Sequence, residues 1–178
     1  MENKTWDKVV LVNESDEGIS EMDKLEAHQL GLLHRAFSVF IFNSQGDMLI
    51  HQRAFDKYHG GGLWTNACCS HPQWGDELIA SAEARLAYEM GLSCKLEKLF
   101  SFLYHATVEK GLVEHEFDHV FVGYSDDEPR IHADEVAAYR WINPKEVYAL
   151  TQTSPQEFTY WFKEALPNVL DRLSIHYK

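Results

Sequence analysis

Short apolar runs separated by polar turns predict several strands in the first half of the chain. Residues 9–12 form a β-branched run typical of a strand, and the acidic stretch 15–21 predicts a loop. Residues 36–42 and 48–52 are apolar runs joined by Asn-Ser-Gln-Gly-Asp, turn chemistry that predicts a β-hairpin. The mixed segment 22–33 fits either a helix or irregular structure.

The most regular helical pattern covers residues 77–90. Apolar side chains recur every four residues from Leu78 to Met90 and therefore fall on one face of a helix. Gly91 follows, where a helix commonly stops. This segment is the strongest predicted helix of the sequence.

The second half of the chain predicts longer strands followed by helices. Strands are predicted at residues 99–108, 113–124 and 138–142. Asn-Pro-Lys-Glu at 143–146 and Ser-Pro-Gln-Glu at 154–157 each combine a capping side chain with proline at the first helical position, which predicts two helix starts. Strands mixed with a few helices predict an α/β or α+β domain with a mixed, mainly antiparallel sheet.

Composition favours one folded domain that does not bind nucleic acid. The 178 residues are 45% hydrophobic, enough for a core, and the net charge of −12 disfavours a nucleic-acid partner while leaving room for a small anionic ligand. No apolar run approaches the roughly 20 residues needed to cross a bilayer, and the N-terminus does not resemble a signal peptide. Three cysteines, two of them adjacent, are a poor disulfide framework and predict a reducing, cytoplasmic location.

Ten histidines and a pair of alternating acids raise the question of a metal site. Glu114 and Glu116 lie two apart in a predicted strand, so both carboxylates share one face. On spacing alone, a solvated strand face is the simpler interpretation. With His28, His34 and His71 they would make a ligand set suited to manganese, magnesium, iron or zinc. On spacing alone scattered surface histidines are the favoured interpretation, because no local motif of the HExxH type joins the ligands.

The segment Trp-Thr-Asn-Ala-Cys-Cys-Ser-His-Pro at 64–72 is a second candidate for chemistry. The glycine triplet 60–62 before it and the His-Pro turn at its end predict an exposed, functional loop. A cysteine beside a histidine and a metal would have its thiolate favoured. The alternative is a pair of small buried apolar residues.

Four isolated cations stand out in this acidic chain: Lys24, Arg53, Lys57 and Arg85. Taken singly, each is more typical of the surface. Arg85 and Glu89 are four apart on the predicted helix and fit a surface ion pair of roughly 0.2–0.5 kcal/mol. Tyr104 and Trp161 are, by themselves, typical core residues.

Five sequence stretches between Asp23 and Trp161 indicate the family more specifically than the spacing of single residues does. They are GLLHRAFSVFIFN, GLWTNACCSHP, AEARLAYEMGL, VEHEFDHVF and ADEVAAYRWI. They resemble type I isopentenyl-diphosphate isomerase, a member of the Nudix structural superfamily. The resemblance implies a Nudix-like mixed sheet flanked by helices, with residues 1–178 as a single domain. It also implies an isomerase that interconverts isopentenyl and dimethylallyl diphosphate through a tertiary carbocation.

The resemblance implies roles for the candidate residues as well. Cys69 and Glu116 would be the proton-transfer pair, with the direction of transfer left open between them. One divalent metal (Mn, Mg or Zn) would be bound by His28, His34, His71, Glu114 and Glu116.

The remaining implied roles concern the substrate. A magnesium ion arriving with the diphosphate would bind Glu89 and the backbone carbonyl of Cys69. Tyr104 and Trp161 would line the hydrocarbon pocket. The diphosphate itself would be held by Lys24, Arg53, Lys57, Ser70 and Arg85.

Two departures from the wider pattern keep alternatives open. Of the acidic positions of a Nudix hydrolase only Glu89 remains, because Arg85 and Tyr88 occupy the others, and Ala84 stands where the hydrolases carry an arginine. This counts against the alternative function, hydrolysis of a nucleoside diphosphate derivative. Some relatives carry aromatic-Pro-Gly where this chain has its glycine triplet, which leaves the position of the Lys57 loop open. A non-catalytic metal-binding domain is the third interpretation.

Overall fold

In the computed structural model, which describes residues 6–176, nine strands form one mixed sheet and four helices pack around it. The strands are β1 (Lys8–Val12), β2 (Gly18–Asp23), β3 (His34–Phe42), β4 (Met48–Arg53), β5 (Trp64–Thr65), β6 (Cys68–Ser70), β7 (Leu96–Thr107), β8 (Val113–Tyr124) and β9 (Val136–Ile142). The helices are α1 (Lys24–Leu30), α2 (Leu78–Met90), α3 (Pro144–Thr153) and α4 (Tyr160–Arg172).

The parallel pair of β3 and β8 forms the centre of the sheet. β8 runs in register with β3 from His34 opposite Glu116 to Phe42 opposite Tyr124, and its other edge pairs antiparallel with β7. The other edge of β3 is shared by β1, β6 and β4, all antiparallel, and β4 also pairs with β9. The predicted mixed, mainly antiparallel sheet is confirmed.

The sheet has a hydrophobic core on each face because successive residues of β3 point to opposite sides. Phe37, Val39 and Ile41 pack with the apolar face of α2. Phe40 packs on the other side with α4, where its ring lies 6.0 Å from that of Phe162.

Several predicted elements are confirmed, with the capping chemistry expected. The side chain of Glu77 accepts a hydrogen bond from the first turn of α2, and Gly91 ends the helix with a φ of 64°. The ambiguous segment 22–33 contains α1, whose first turn is capped by Asp23. The hairpin of β3 and β4 also forms, although the two strands separate after the pair Phe42–Met48.

The predicted loop at residues 15–21 is wrong in its second half, because β2 begins at Gly18. β2 pairs with β1 along its length, for example Val10 with Glu21, but most of its side chains are exposed. A strand held by backbone hydrogen bonds at a sheet edge has no buried face and hence no alternating pattern to detect.

The second predicted helix start is only partly right. Pro155–Glu157 forms a single 3₁₀ turn, and α4 begins at Tyr160. The helix is delayed because Phe158 is buried in an extended conformation and Thr159 donates its backbone N–H to the Trp64 carbonyl.

The prediction of an exposed loop at residues 64–72 is wrong. The segment contains β5 and β6, and Cys68 is fully buried. Asn66, also fully buried, donates from its side-chain amide to the carbonyls of Val39 and Cys68 and so supports the turn between the strands. Across residues 6–176, none of the helices is both long enough and apolar enough to span a bilayer.

Candidate active site

A row of acids on β8 forms the floor of the candidate site. Glu114, Glu116 and Asp118 alternate on the same strand face as Val120, which belongs to the core beneath α4. All three carboxylates are buried. The interpretation of this face as solvated is therefore wrong for this strand.

Two histidines of β8, His115 and His119, point to the opposite face of the strand. His119 lies 2.9 Å from Asp16 of the β1–β2 turn, and the Nδ1 of His115 is 3.0 Å from the Gly31 carbonyl. Asp118 instead shares the site's face, where it accepts a hydrogen bond from Ser38. Burial raises the pKa of Asp118 well above its usual value.

Three histidines converge on the two glutamates. The Nδ1 atoms of His28 and His34 each face a backbone carbonyl, of Lys24 at 2.6 Å and of Leu32 at 2.8 Å. Each ring can therefore donate from Nδ1 and direct the lone pair of Nε2 at the acids. Candidate ligand atoms of His28, His34, His71 and Glu116 all lie within 4.8 Å of one another.

This donor set fits a divalent metal. The Nε2 atoms of His28 and His34 and Oε2 of Glu114 are buried and have no hydrogen-bond partner, an arrangement that is costly unless something binds there. Backbone carbonyls that fix the far nitrogen of each imidazole are the usual support of histidine ligands. Burial alone would raise the pKa of Glu114, but the neighbouring imidazoles of His28 and His59 hold it well below its usual range.

Sequence reasoning missed His59, which the structure adds to the site. It is buried, and its Nε2 lies 2.7 Å from Oε1 of Glu114. His28, His59 and Glu114 form a second group of candidate ligands beside the first. The only signal in the sequence was a histidine next to the glycine triplet, in a loop whose position could not be predicted.

Cys69 and Glu116 line the same cavity. Cys69 lies on β6 opposite Ser38, and the guanidinium of Arg53 approaches its sulfur to 3.7 Å. Desolvation raises the pKa of the Cys69 thiol to about 12, so the group is protonated at neutral pH. Trp161 of α4 forms part of the same cavity wall, and Arg53 lies 5.3 Å from its ring centre.

The four cations that the sequence left as surface charges all line this cavity, as does Ser70. Their interpretation as isolated surface residues is wrong. Arg85 is buried and donates from Nε to Glu89 at 2.7 Å, and its Nη2 lies 2.9 Å from Glu135. Glu135 also pairs with Lys57, which fixes the Lys57 loop against the helix.

The charged groups around Arg85, at one end of the cavity, shift one another's pKa values. Burial, followed by the charges of Arg85 and Lys57, lowers the pKa of Lys24. Burial raises the pKa of Glu89, although Arg85 acts in the opposite direction. A cavity end with four cations and two acids has a net positive charge, which suits a multiply charged anion.

Tyr104 occupies a different place from Trp161. It is buried on β7 but is not among the residues that line the cavity, and its hydroxyl donates to Oε2 of Glu116 at 2.6 Å. It therefore reaches the site through Glu116 rather than through the hydrocarbon wall.

Comparisons with solved structures agree with this architecture. A crystal structure from Deinococcus radiodurans superposes with a TM-score of 0.76 at 19% identity, covering 90% of this chain and 98% of the other. A MutT protein from Methanosarcina mazei gives 0.66 at 14% identity, covering 81% and 96%. At these identities the likeness shows a shared fold.

Sequence comparisons are more specific. A family model of the NUDIX domain matches residues 32–162. Isopentenyl-diphosphate Delta-isomerase 2 of Photorhabdus laumondii is 48% identical over 158 residues and 89% of each chain, and the isopentenyl-diphosphate Delta-isomerase of Serratia proteamaculans is 47% identical over 154 residues and 86% of each chain. The chain belongs to the NUDIX-domain family of isopentenyl-diphosphate Delta-isomerases.

Proposed function

We propose that this protein interconverts isopentenyl diphosphate and dimethylallyl diphosphate by moving one carbon–carbon double bond. The observation that carries the proposal is that Cys69 and Glu116 line the same cavity as Trp161 and a cluster of cations. Such a cavity can hold an anionic group at one end and an alkene between two proton-transfer groups at the other. The names of the curated relatives support isopentenyl diphosphate as the substrate.

The cationic end would bind and orient the diphosphate. Lys24, Lys57 and Arg85 come from three different elements and meet at this end, close to Glu89 and Glu135. Because the diphosphate takes no part in bond breaking, its binding energy can position the alkene and exclude water. Ser70 adds a neutral hydroxyl to the same wall.

The reacting end would transfer two protons. One member of the pair Cys69 and Glu116 adds a proton to the double bond, the other removes a proton from the neighbouring carbon, and the reverse reaction exchanges their roles. The tertiary carbocation formed between these steps needs a dry site and an electron-rich surface. The ring of Trp161, which is buried, can contribute about 2 kcal/mol by cation–π attraction when desolvated.

Glu116 is held in one orientation by its neighbours. Tyr104 donates to Oε2, and the Nε2 of His71 lies 2.9 Å from Oε1. A divalent metal (Mn, Mg or Zn) held by His28, His34, His71, Glu114 and Glu116 would fix that orientation further and lower the proton affinity of the Glu116 carboxyl. Glu89 would serve the magnesium ion that accompanies the diphosphate.

Hydrolysis of a nucleoside diphosphate derivative is less well supported. Nudix hydrolysis needs several metal-binding carboxylates on the helix that follows the loop, but Glu89 is the sole carboxylate that α2 contributes to the cavity lining. Glu83, the other acid within α2, accepts a hydrogen bond from the backbone of Leu96 instead.

Replacement of Cys69 tests the proposal. In Cys69→Ala, folding and metal uptake should survive while turnover of isopentenyl diphosphate falls about 10²–10⁴-fold, the usual contribution of one acid–base group. Cys94→Ala is the matched control, because Cys94 is half-buried outside the cavity. Product formation and deuterium incorporation from heavy water are measured together. Unchanged turnover in Cys69→Ala, or phosphate release from nucleotides by the wild type, would contradict the proposal.

We also propose that the protein works in the cytoplasm, which keeps thiols reduced. The mechanism needs Cys69 as a thiol, and Cys68, Cys69 and Cys94 are all free.

A further inference from the structure

We infer that His59 is a positioning residue of the metal site, which holds one oxygen of Glu114 so that the other faces the histidine ligands, and which anchors loop 54–63 over the cavity. The inference rests on the metal site of the proposed function. It assigns a role to a residue that lies outside the five implied metal ligands.

The two oxygens of Glu114 have different surroundings. Oε1 lies 2.7 Å from Nε2 of His59, a distance typical of a charge-assisted hydrogen bond. Oε2 is buried, lacks a hydrogen-bond partner and lies 3.3 Å from the unpartnered Nε2 of His28. The carboxylate is thus fixed with one oxygen satisfied and the other open toward the ligands.

The same geometry argues against His59 as a ligand itself. Its Nε2 contacts Glu114, whereas the Nε2 atoms of His28 and His34 have no hydrogen-bond partner. The Nδ1 of His59 is also buried without a partner, and the Co²⁺ spectrum described below distinguishes a supporting role from direct ligation. An imidazole that donates from Nε2 to a carboxylate supports that carboxylate rather than competes with it for a metal.

His59 also connects the metal site to the anion-binding end. It lies in loop 54–63 between β4 and β5, two residues after Lys57. The backbone ties the loop down nearby, since the His59 carbonyl accepts from Arg53 at 3.3 Å and the Gly60 N–H donates to Glu109 at 3.2 Å. A displaced His59 would therefore displace Lys57 as well.

The glycine triplet explains how the loop can pack so closely on itself. A Cβ on Gly61 would lie 2.6 Å from the carbonyl oxygen of Phe55, and one on Gly62 would lie 3.0 Å from the Phe55 ring. The two ends of the loop are therefore in contact and form one packed unit. The side-chain contact of His59 with Glu114 connects this unit to β8.

Two variants of His59 separate its role from a general effect on folding. His59→Phe keeps a ring of similar size but removes the donor, whereas the amide of His59→Gln can still donate to Glu114. His105→Phe is the control, because His105 is exposed on β7 and does not line the cavity. Metal-free protein is titrated with Mn²⁺ by calorimetry, and trypsin cleavage after Lys57 is followed by mass spectrometry.

His59→Phe should bind Mn²⁺ about 10–100-fold more weakly, the range found for supporting partners of metal ligands, and should be cleaved faster after Lys57. His59→Gln and the control should stay close to the wild type. At saturating Mn²⁺, kcat of His59→Phe should recover while KM for isopentenyl diphosphate remains raised. If His59→Phe does not fold, His59→Asn, whose amide is one methylene shorter than that of Gln, replaces it in the comparison.

Wild-type Mn²⁺ affinity in His59→Phe would overturn the inference while leaving the proposed function intact. Equal losses in His59→Phe and His59→Gln, with a changed visible spectrum of the Co²⁺-loaded protein, would make His59 a direct ligand and also overturn it. A wild-type protein that binds no Mn²⁺ would instead refute the metal site of the proposed function.

Discussion

Removal of a single hydroxyl, in Tyr104→Phe, tests whether Glu116 must be held in place. The hydroxyl donates to Oε2 of Glu116 at 2.6 Å inside a buried pocket. The ring should stay in position, since it stacks on Phe102 at 5.5 Å and on Tyr160 at 5.8 Å. A hydrogen bond to a charged group contributes about 1.5–3 kcal/mol, which at about 1.4 kcal/mol per factor of ten predicts a fall in kcat of about 10–100-fold.

The assay is steady-state isomerisation of isopentenyl diphosphate, with KM and kcat separated. Because Tyr104 does not line the cavity, KM should change little. Tyr124→Phe is the matched control, since Tyr124 is exposed at the far end of β8. A kcat within twofold of wild type in a folded Tyr104→Phe protein would refute the reasoning, and a raised KM with normal kcat would assign the hydroxyl to binding.

Three further predictions concern stability. A metal present at about 100 times its Kd stabilises the folded protein by about 2.7 kcal/mol. Its chelation should therefore lower the unfolding midpoint measured by calorimetry by about 5–10 °C. An unchanged midpoint would contradict a bound metal. Phe162→Ala should lose about 3–5 kcal/mol in urea unfolding, because Phe162 is fully buried between Phe40 and Phe158, and a loss below 1 kcal/mol would show that the core collapses around it. Burial lowers the pKa of His51 to about 3 in the folded protein. As the pH falls below 6.5, the His51 imidazole is protonated in the unfolded chain but not in the folded one, so the stability present above pH 6.5 is progressively lost. Between pH 6.5 and 5 the wild type should lose about 1.6 kcal/mol more than His51→Asn, and parallel curves would exclude His51 as a source of the pH dependence.

The sequence predicted the fold best where one face of an element is buried. α2 was predicted to within one residue of its ends because its apolar side chains recur every four positions. β8 was predicted at its observed bounds, although the buried face of its first half carries acids rather than apolar residues. The polar edge strand β2 was missed because backbone hydrogen bonds hold it without a buried face. The start of α4 was displaced by tertiary contacts of Phe158 and Thr159, which no local pattern encodes.

The sequence identified candidate site residues but did not predict how they lie relative to one another in the fold. The spacing of Glu114 and Glu116 correctly predicted that both lie on one strand face, but it could not show whether that face is exposed to solvent or buried. The meeting of Lys24, Lys57 and Arg85 in one cavity depends on three distant elements, so taken singly each looked like a surface charge. Only the resemblance to a known family brought these residues together in advance.

The two-residue repeat of β8 has a consequence for how this enzyme family can change over evolution. Glu114 and Glu116 share a face with the core residue Val120 only because they precede it by an even number of positions. Inserting or deleting one residue between Glu116 and Val120 would turn both acids to the opposite side while leaving every letter of the motif in place. We therefore expect lineages to tolerate length changes in the turns around the cavity, whereas a one-residue frame slip inside this strand would abolish the site.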